Sequence, residues 1–248
     1  KEKIFDPLNM NSTSTTNSHF TSDMNVSAPH MDGKAMPFID YDNSGPAASM
    51  NTSVSDMMAW VKMWLQKGTY ENNQIFSETY YYKALTPLTA MNGGKGEEID
   101  GTHFYGYGLG WFLYDFEGRK IIQHGGGLPG VHSKVVLIPE DGLGFVIIAN
   151  QISGLVESVN KKILDFYLTD SDKDWAEVYY QNELKQKTRK EETEVKLIEA
   201  RIKETSPSLD LNDYVGVYED EMYGKADVIL NKGKLNLTLL PTKELFTC

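Results

Sequence analysis

The stretch of this chain best suited to chemistry is His124-Gly125-Gly126-Gly127-Leu128-Pro129-Gly130. Its glycines strip the side chains from a length of backbone flanked by strand-like runs, Arg119 to Gln123 before it and Val131 to Ile138 after it. Glycine inside a strand costs conformational entropy and adds no packing, so a run of it needs another reason, most often a bulge or the close approach of a second backbone. A ligand lying along the edge as an added strand is one such reason. An ordinary glycine-rich hairpin loop is the other reading.

The elements that must position this run are read from periodicity. Leu109 to Asp115 reads as a strand, Glu117-Gly118 as a turn, and Arg119 to Gln123 as a second strand centred on Ile121 and Ile122. Val131 to Ile138 alternates in part, Asp141-Gly142 turns the chain, and Leu143 to Ala149 is a nearly continuous apolar run suited to a strand buried on both faces. The expectation is an antiparallel meander of about three strands, or four if Val131 to Ile138 breaks. Ser53-Val54-Ser55-Asp56 has the form of a capping box with Asp in place of Glu, and Met57, Trp60, Val61, Trp64 and Leu65 follow at helical spacing before Gly68. That aromatic stripe reads as core. A second helix is expected over Ser77 to Leu85, closed by Pro87, and a third over Ser153 to Leu168.

Elsewhere the pattern is weaker. Roughly the first forty residues are rich in Ser, Thr, Asn and Met and read as loop draped on other elements. Asn92 to Thr102 is a charged, glycine-rich loop of undisclosed role. Asp172 to Glu204 is densely charged, with Glu183 and Lys187, and Glu192 and Lys196, at favourable four-residue spacing, and reads as a solvated helix acting as a spacer. From Leu209 a β-rich module starts: Tyr214-Val215-Gly216-Val217-Tyr218, Ala226 to Leu230, the turn Asn231-Lys232-Gly233-Lys234, and Leu235 to Leu239. The fold class is therefore α/β in the α+β sense, an antiparallel sheet flanked by helices, with domains at 1–170, 171–206 and 207–248.

Composition sets the outer limits. A length of 248 residues with 40% hydrophobic content can bury a sizeable core. A net charge of -11 argues against nucleic-acid partners, which bind through clustered Lys and Arg. No apolar run reaches the length of a membrane span, and no signal peptide opens the sequence at Lys1. The single Cys248 excludes an intrachain disulfide and a cysteine-ligated zinc site, and His19, His30, His103, His124 and His132 lack metal-ligand spacing. No metal or other cofactor is expected.

The glycine run resembles the third active-site motif, the Lys-Thr-Gly strand, of the serine beta-lactamase and penicillin-binding-protein superfamily, in the class C-like and esterase-like variant where His replaces Lys. Ile4-Phe5-Asp6-Pro7-Leu8-Asn9-Met10 resembles its I-x-x-P-L-G-M segment. Gly45-Pro46-Ala47-Ala48-Ser49 with Asp56-Met57 and Trp60 resembles its P-A-G…S…D-M…W segment, and Val136 to Asn150 its last two strands. The resemblance covers roughly residues 1 to 168. The tail from Leu209 is similar to the small β-rich domain that often follows this hydrolase domain, and with only three or so strands it reads as cut short.

The family's nucleophile belongs to a Ser-x-x-Lys motif, and this and a Tyr-x-Asn or Ser-x-Asn motif precede the segment resembling Ile4 to Met10, so the chain is expected to begin after its own nucleophile. Ser158-Val159-Asn160-Lys161 satisfies Ser-x-x-Lys by chance: it follows the third motif and falls in the expected C-terminal helix, with Ser158 and Lys161 on the polar side. The Tyr-x-Asn matches at Tyr41, Tyr70 and Tyr180 read as turn or helix residues. A lipase-type His-Gly-Gly-Gly reading would need a Gly-x-Ser-x-Gly elbow, which this sequence lacks.

The resemblance implies acyl transfer through a serine ester, with the oxyanion held by backbone N–H groups of the serine and of Gly127, and with Gly125 and Gly126 lining the substrate. His124 would stand beside the site as a member of a proton network or a partly cationic contact. Gly125 replaces the family's usual Thr or Ser and removes a hydroxyl that would bind a beta-lactam carboxylate, so an esterase, amidase or peptidase fits as well. The expected function is the C-terminal portion of a serine acyl-hydrolase, inactive alone, acting on a small-molecule or peptide substrate. The alternative is a non-catalytic binding or regulatory module for cell-wall peptides or sugars. The family implies a periplasmic or extracytoplasmic setting, and an incomplete sheet implies self-association through an exposed edge.

Overall fold

Alternating apolar residues between Thr89 and Ala149 build one antiparallel sheet. The computed structural model describes residues 1–21, 23–91, 102–202, 204–240 and 244–247. Its strands are β1 (His30–Met31), β2 (Lys34–Ala35), β3 (Thr69–Tyr70), β4 (Asn73–Gln74), β5 (Thr89–Ala90), β6 (Tyr105–Tyr107), β7 (Phe112–Phe116), β8 (Arg119–Leu128), β9 (Val131–Ile138), β10 (Leu143–Ala149), β11 (Gly216–Asp220), β12 (Gly224–Asn231), β13 (Lys234–Leu239) and β14 (Glu244–Thr247). The helices are α1 (Gly45–Ala48), α2 (Val54–Leu65), α3 (Glu78–Ala84), α4 (Leu155–Leu168) and α5 (Trp175–Ala200).

The main sheet has six strands in the order β10-β9-β8-β7-β6-β5, so the meander is longer than the three or four strands expected. Val131–Ile138 does not break, and the short strands β5 and β6 carry too few residues for a periodicity to register. Of the loop expected over Asn92 to Thr102, all but Thr102 lies outside the described residues, as does Cys248. β10 forms one edge of the sheet.

Each face of the sheet has its own core. On one, Leu113, Ile122 and Leu137 pack with Ala59, Val61, Met63 and Trp64 of α2 and with Leu8 and Met10 of the N-terminal segment. Trp64 is buried and Trp60 packs partly buried against it, so the aromatic stripe is core. Gly144 lets α2 approach: a Cβ there would stand 2.6 Å from Val61 Cγ1. On the other face, Tyr114, Phe116, Ile121, Val136 and Ile138 pack with Leu164 of α4.

The N-terminal segment is held by particular contacts. Ser53 caps α2 by accepting the N–H of Asp56, but the box does not close. The buried Asp56 carboxylate instead accepts the Ser12 N–H at 2.8 Å and the Thr13 hydroxyl at 2.7 Å. Asn9 takes a left-handed φ of 56°, the conformation that the glycine of the I-x-x-P-L-G-M pattern would supply.

α4 corrects the expectation for its polar residues. Ser158, Asn160, Lys161 and Asp165 are buried, while Leu155, Phe166 and Tyr167 are exposed. Two of these groups are partnered from other elements: Asp165 accepts the Trp175 indole N–H at 2.5 Å, and the Lys161 ammonium lies 5.4 Å from the Phe116 ring centre. Glu183 of α5 takes the Gly154 N–H ahead of α4.

Contacts divide the chain into two units, residues 1–188 and residues 189–248. The second contains a four-stranded antiparallel sheet in the order β11-β12-β13-β14, one strand more than the three or so read from the sequence. Asn231–Lys234 is the expected turn, with Lys232 and Gly233 both at positive φ.

Candidate active site

The glycine run lies inside a strand. β8 extends to Leu128, and Gly125, Gly126 and Gly127 stand opposite Lys134, Ser133 and His132 of β9, which removes the hairpin-loop reading. The turn falls at Pro129-Gly130, where Gly130 has a φ of 85° and a Cβ would stand 2.5 Å from Pro29 Cβ.

Pairing leaves one edge of this segment open. β7 pairs with β8 only from Arg119 to Gln123, whereas β9 pairs from Ile122 to Leu128. Between His124 and Leu128 the side of β8 away from β9 therefore has no partner strand among the described residues. Alternate backbone N–H groups along that length turn outward, available to an added strand or to a carbonyl oxygen.

Nothing in the described fold forces glycine at two of these positions. None of Gly125, Gly126 and Gly127 has a left-handed φ. A Cβ would meet Ser133 O at 3.4 Å from Gly125 and Ile152 Cδ1 at 3.9 Å from Gly127, both ordinary contacts. Only at Gly126 would it crowd a neighbour, Ser133 Oγ at 2.8 Å. All three are exposed. The bare backbone is thus available to a molecule from outside the fold.

His124 is the titratable group beside it. Its Nδ1 lies 2.7 Å from Gly125 O and its Nε2 3.2 Å from the Tyr107 hydroxyl. In the neutral ring, Nδ1–H donates to the carbonyl and Nε2 accepts from Tyr107; in the imidazolium, Nε2–H donates to the Tyr107 oxygen instead. Both contacts exist in either form of the ring. Phe112 supports the ring with a centroid separation of 5.4 Å. Tyr107 went unread in the sequence because β6 has only three residues; its place opposite Phe112 comes from strand pairing.

Behind the glycine strand, on the α4 side, Lys134 is buried against Glu157, Nζ to Oε1 at 2.5 Å. Burial pushes the Lys134 ammonium below the ordinary lysine range, opposed by the Glu157 carboxylate. The chance Ser-x-x-Lys match lies on this same side: Ser158 is 7% exposed within α4, so it presents no nucleophile to the open edge of β8. Tyr41 adjoins a short 3-10 helix, Tyr70 a turn with positive φ at Glu71 and Asn72, and Tyr180 lies in α5, as expected of chance Tyr-x-Asn matches.

The beta-lactamase family model matches residues 1–167. The chain belongs to that family. A second model, a domain of unknown function (DUF3471), matches residues 200–247. Among solved structures, the octameric penicillin-binding protein homologue from Pyrococcus abyssi aligns with a TM-score of 0.55 at 19% identity, over 99% of this chain and 48% of that one. The penicillin binding protein from Bacillus halodurans aligns with a TM-score of 0.47 at 19% identity, over 65% of this chain and 47% of that one. The chain thus spans about half the length of the solved structures it resembles. No curated protein matches. The fold is that of the beta-lactamase and transpeptidase class, an antiparallel sheet with helices on its faces. No helix among the described residues is long and apolar enough to cross a membrane.

Proposed function

We propose that this chain forms one wall of a serine acyl-hydrolase site and is inactive without a nucleophile supplied from residues N-terminal to Lys1. The observation that carries the reading is the open edge of β8 from His124 to Leu128, with glycine at Gly125 and Gly127 where the fold does not require it. A serine there would attack the carbonyl of an ester, amide or peptide, and the developing oxyanion would be held by the serine N–H and the Gly127 N–H. Glycine suits the donor position because no side chain stands between the N–H and the substrate.

In this reading the His124–Tyr107 pair stands beside the reacting carbonyl as a member of a proton network. Family membership supports an extracytoplasmic setting. The β10 edge supports self-association when the nucleophile-bearing part is not present.

Activity-based labelling tests the proposal. Incubated with a fluorophosphonate and with a fluorescent penicillin, residues 1–248 should gain no covalent adduct by intact mass, while the protein extended upstream should gain one, on a serine before Lys1. Stoichiometric labelling of Ser158, or of any serine within residues 1–248, would overturn it.

A further inference from the structure

A strand without side chains cannot hold its own register. Side-chain alternation against a buried face is what normally specifies pairing, and glycine-rich strands are prone to slip. Ile121 and Ile122 anchor the first half of β8, and beyond them whatever keeps Gly125, Gly126 and Gly127 in place acts from β9.

Three observations meet at that position. Lys134 stands directly opposite Gly125 and is buried, paired with Glu157 of α4 at 2.5 Å. A cavity of about 180 Å³ lies beside the pair, lined by Thr102, Gln123, Lys134, Glu157, Asn160 and Lys161 among others. Two buried acceptors in its lining, Gln123 Oε1 and Asn160 Oδ1, have no hydrogen-bond partner among the described residues, and Asn160 is only 1% exposed. Buried carbonyl oxygens without partners are rare, and a polar cavity large enough for water is where such groups are normally satisfied.

With Lys134 8% and Glu157 30% exposed, the ion pair contributes little net stability compared with apolar residues of the same size, so a positional role accounts for it better. Resting on the reading of β8 as the acyl-binding strand, we propose that Lys134 is a positioning residue for the glycine strand. Its pair with Glu157, completed by cavity water bound to Gln123 and Asn160, fixes β9 against α4 and so fixes the register of Gly125–Gly127. A slip by one residue would carry every outward N–H of the segment to the other edge.

The test uses residues 1–248 and amide hydrogen exchange followed by NMR. With the Gly125 and Gly127 N–H groups turned outward, the Gly126 N–H is the one that faces β9; Lys134→Met should speed its exchange by about tenfold or give the three glycines doubled resonances, with Gly118 in the turn before β8 unchanged. Lys134→Met/Glu157→Leu should regain the urea midpoint of the parent but not the protection of the Gly126 amide or the single set of glycine resonances, a result that a merely stabilising pair would not give. Glu157→Gln, which keeps volume and an acceptor, covers the case in which Lys134→Met fails to fold, and should show the same effect in milder form. The Gly125 amide shift should titrate with the Lys134 ammonium, which lines the same cavity as the titratable Glu157, Lys161, Tyr105, Tyr114 and Tyr179, and lose that step in Lys134→Met.

Glycine exchange identical in all variants, or protection regained together with stability in the double variant, would overturn the proposal. In the upstream-extended protein the same variants should lower kcat with little change in KM. If that protein has no activity to lose, the hydrolase reading fails while the exchange data still decide the role of Lys134.

Discussion

Placing alanine at Gly125 and Gly127 together should leave the fold at least as stable as the parent while damaging the site. The added methyls would meet Ser133 O at 3.4 Å and Ile152 Cδ1 at 3.9 Å, contacts that need no rearrangement. Neither residue uses a left-handed φ, so alanine adopts the same backbone without strain. The main effect is then on the unfolded chain, which loses conformational freedom, and each substitution should stabilise by about 0.5–1 kcal/mol. The pair should therefore raise stability by about 1–2 kcal/mol, read as a higher urea midpoint at unchanged m-value. Gly126→Ala is the internal control: its methyl would stand 2.8 Å from Ser133 Oγ, so the hydroxyl must rotate and the gain should vanish. In the upstream-extended protein, the Gly125 and Gly127 methyls should slow acylation even though the fold is intact. A loss of more than about 1 kcal/mol in the double variant would refute the reasoning, because the glycines would then serve the fold rather than a ligand.

Other outcomes follow from the same geometry. Gly127→Pro deletes the proposed oxyanion donor and should lower turnover of the extended protein about 10²–10³-fold, whereas His124→Ala should cost less; full activity in a folded Gly127→Pro protein would contradict the donor assignment. Asp56→Ala breaks both bonds to Ser12 and Thr13 and should destabilise by about 2–4 kcal/mol in urea unfolding, with Asp56→Asn retaining part of that; a loss under about 1 kcal/mol would mean the N-terminal segment is held by other contacts. Burial opposes ionisation of Asp115, but the N–H groups of Phe104 and His103 and the His103 ring outweigh it and hold its carboxyl below the ordinary range. A depressed carboxyl contributes stability above its unfolded pKa of about 3.9 and loses it as pH falls through the folded value, so Asp115→Asn should flatten the acid limb of the stability curve and leave neutral pH slopes alone. An unchanged acid limb would remove Asp115 from that role.

The sequence carried some elements better than others. The Ile4–Met10 pattern was readable even with Asn9 in the glycine position, because Asn is among the few residues that tolerate the left-handed φ of 56° required there. Local turn and cap signals fixed α2 and α3, whose N-caps Ser53 and Ser77 accept the N–H groups of Asp56 and Tyr80. The glycine strand was harder to place, since glycine carries no periodicity, and its strand character comes from β9, whose side chains do alternate. β6 and the Tyr107–His124 contact depend on long-range pairing that no local window contains. α4 misled for a different reason: its inward face is polar, held by Lys134, Trp175 and the Phe116 ring from other elements, so hydropathy alone assigns Ser158 and Lys161 to the wrong side.

The central claim, that Gly127 donates its N–H to an oxyanion formed by a serine from upstream, is tested most directly by a crystal structure of the extended protein inactivated with a phosphonate. The account predicts a phosphonyl oxygen within hydrogen-bond distance of the Gly127 N–H, with the inhibitor lying along the open edge of β8 beside His124. A phosphonate bonded to a serine upstream but with its oxygen held elsewhere, and the edge from His124 to Leu128 left empty, would contradict it.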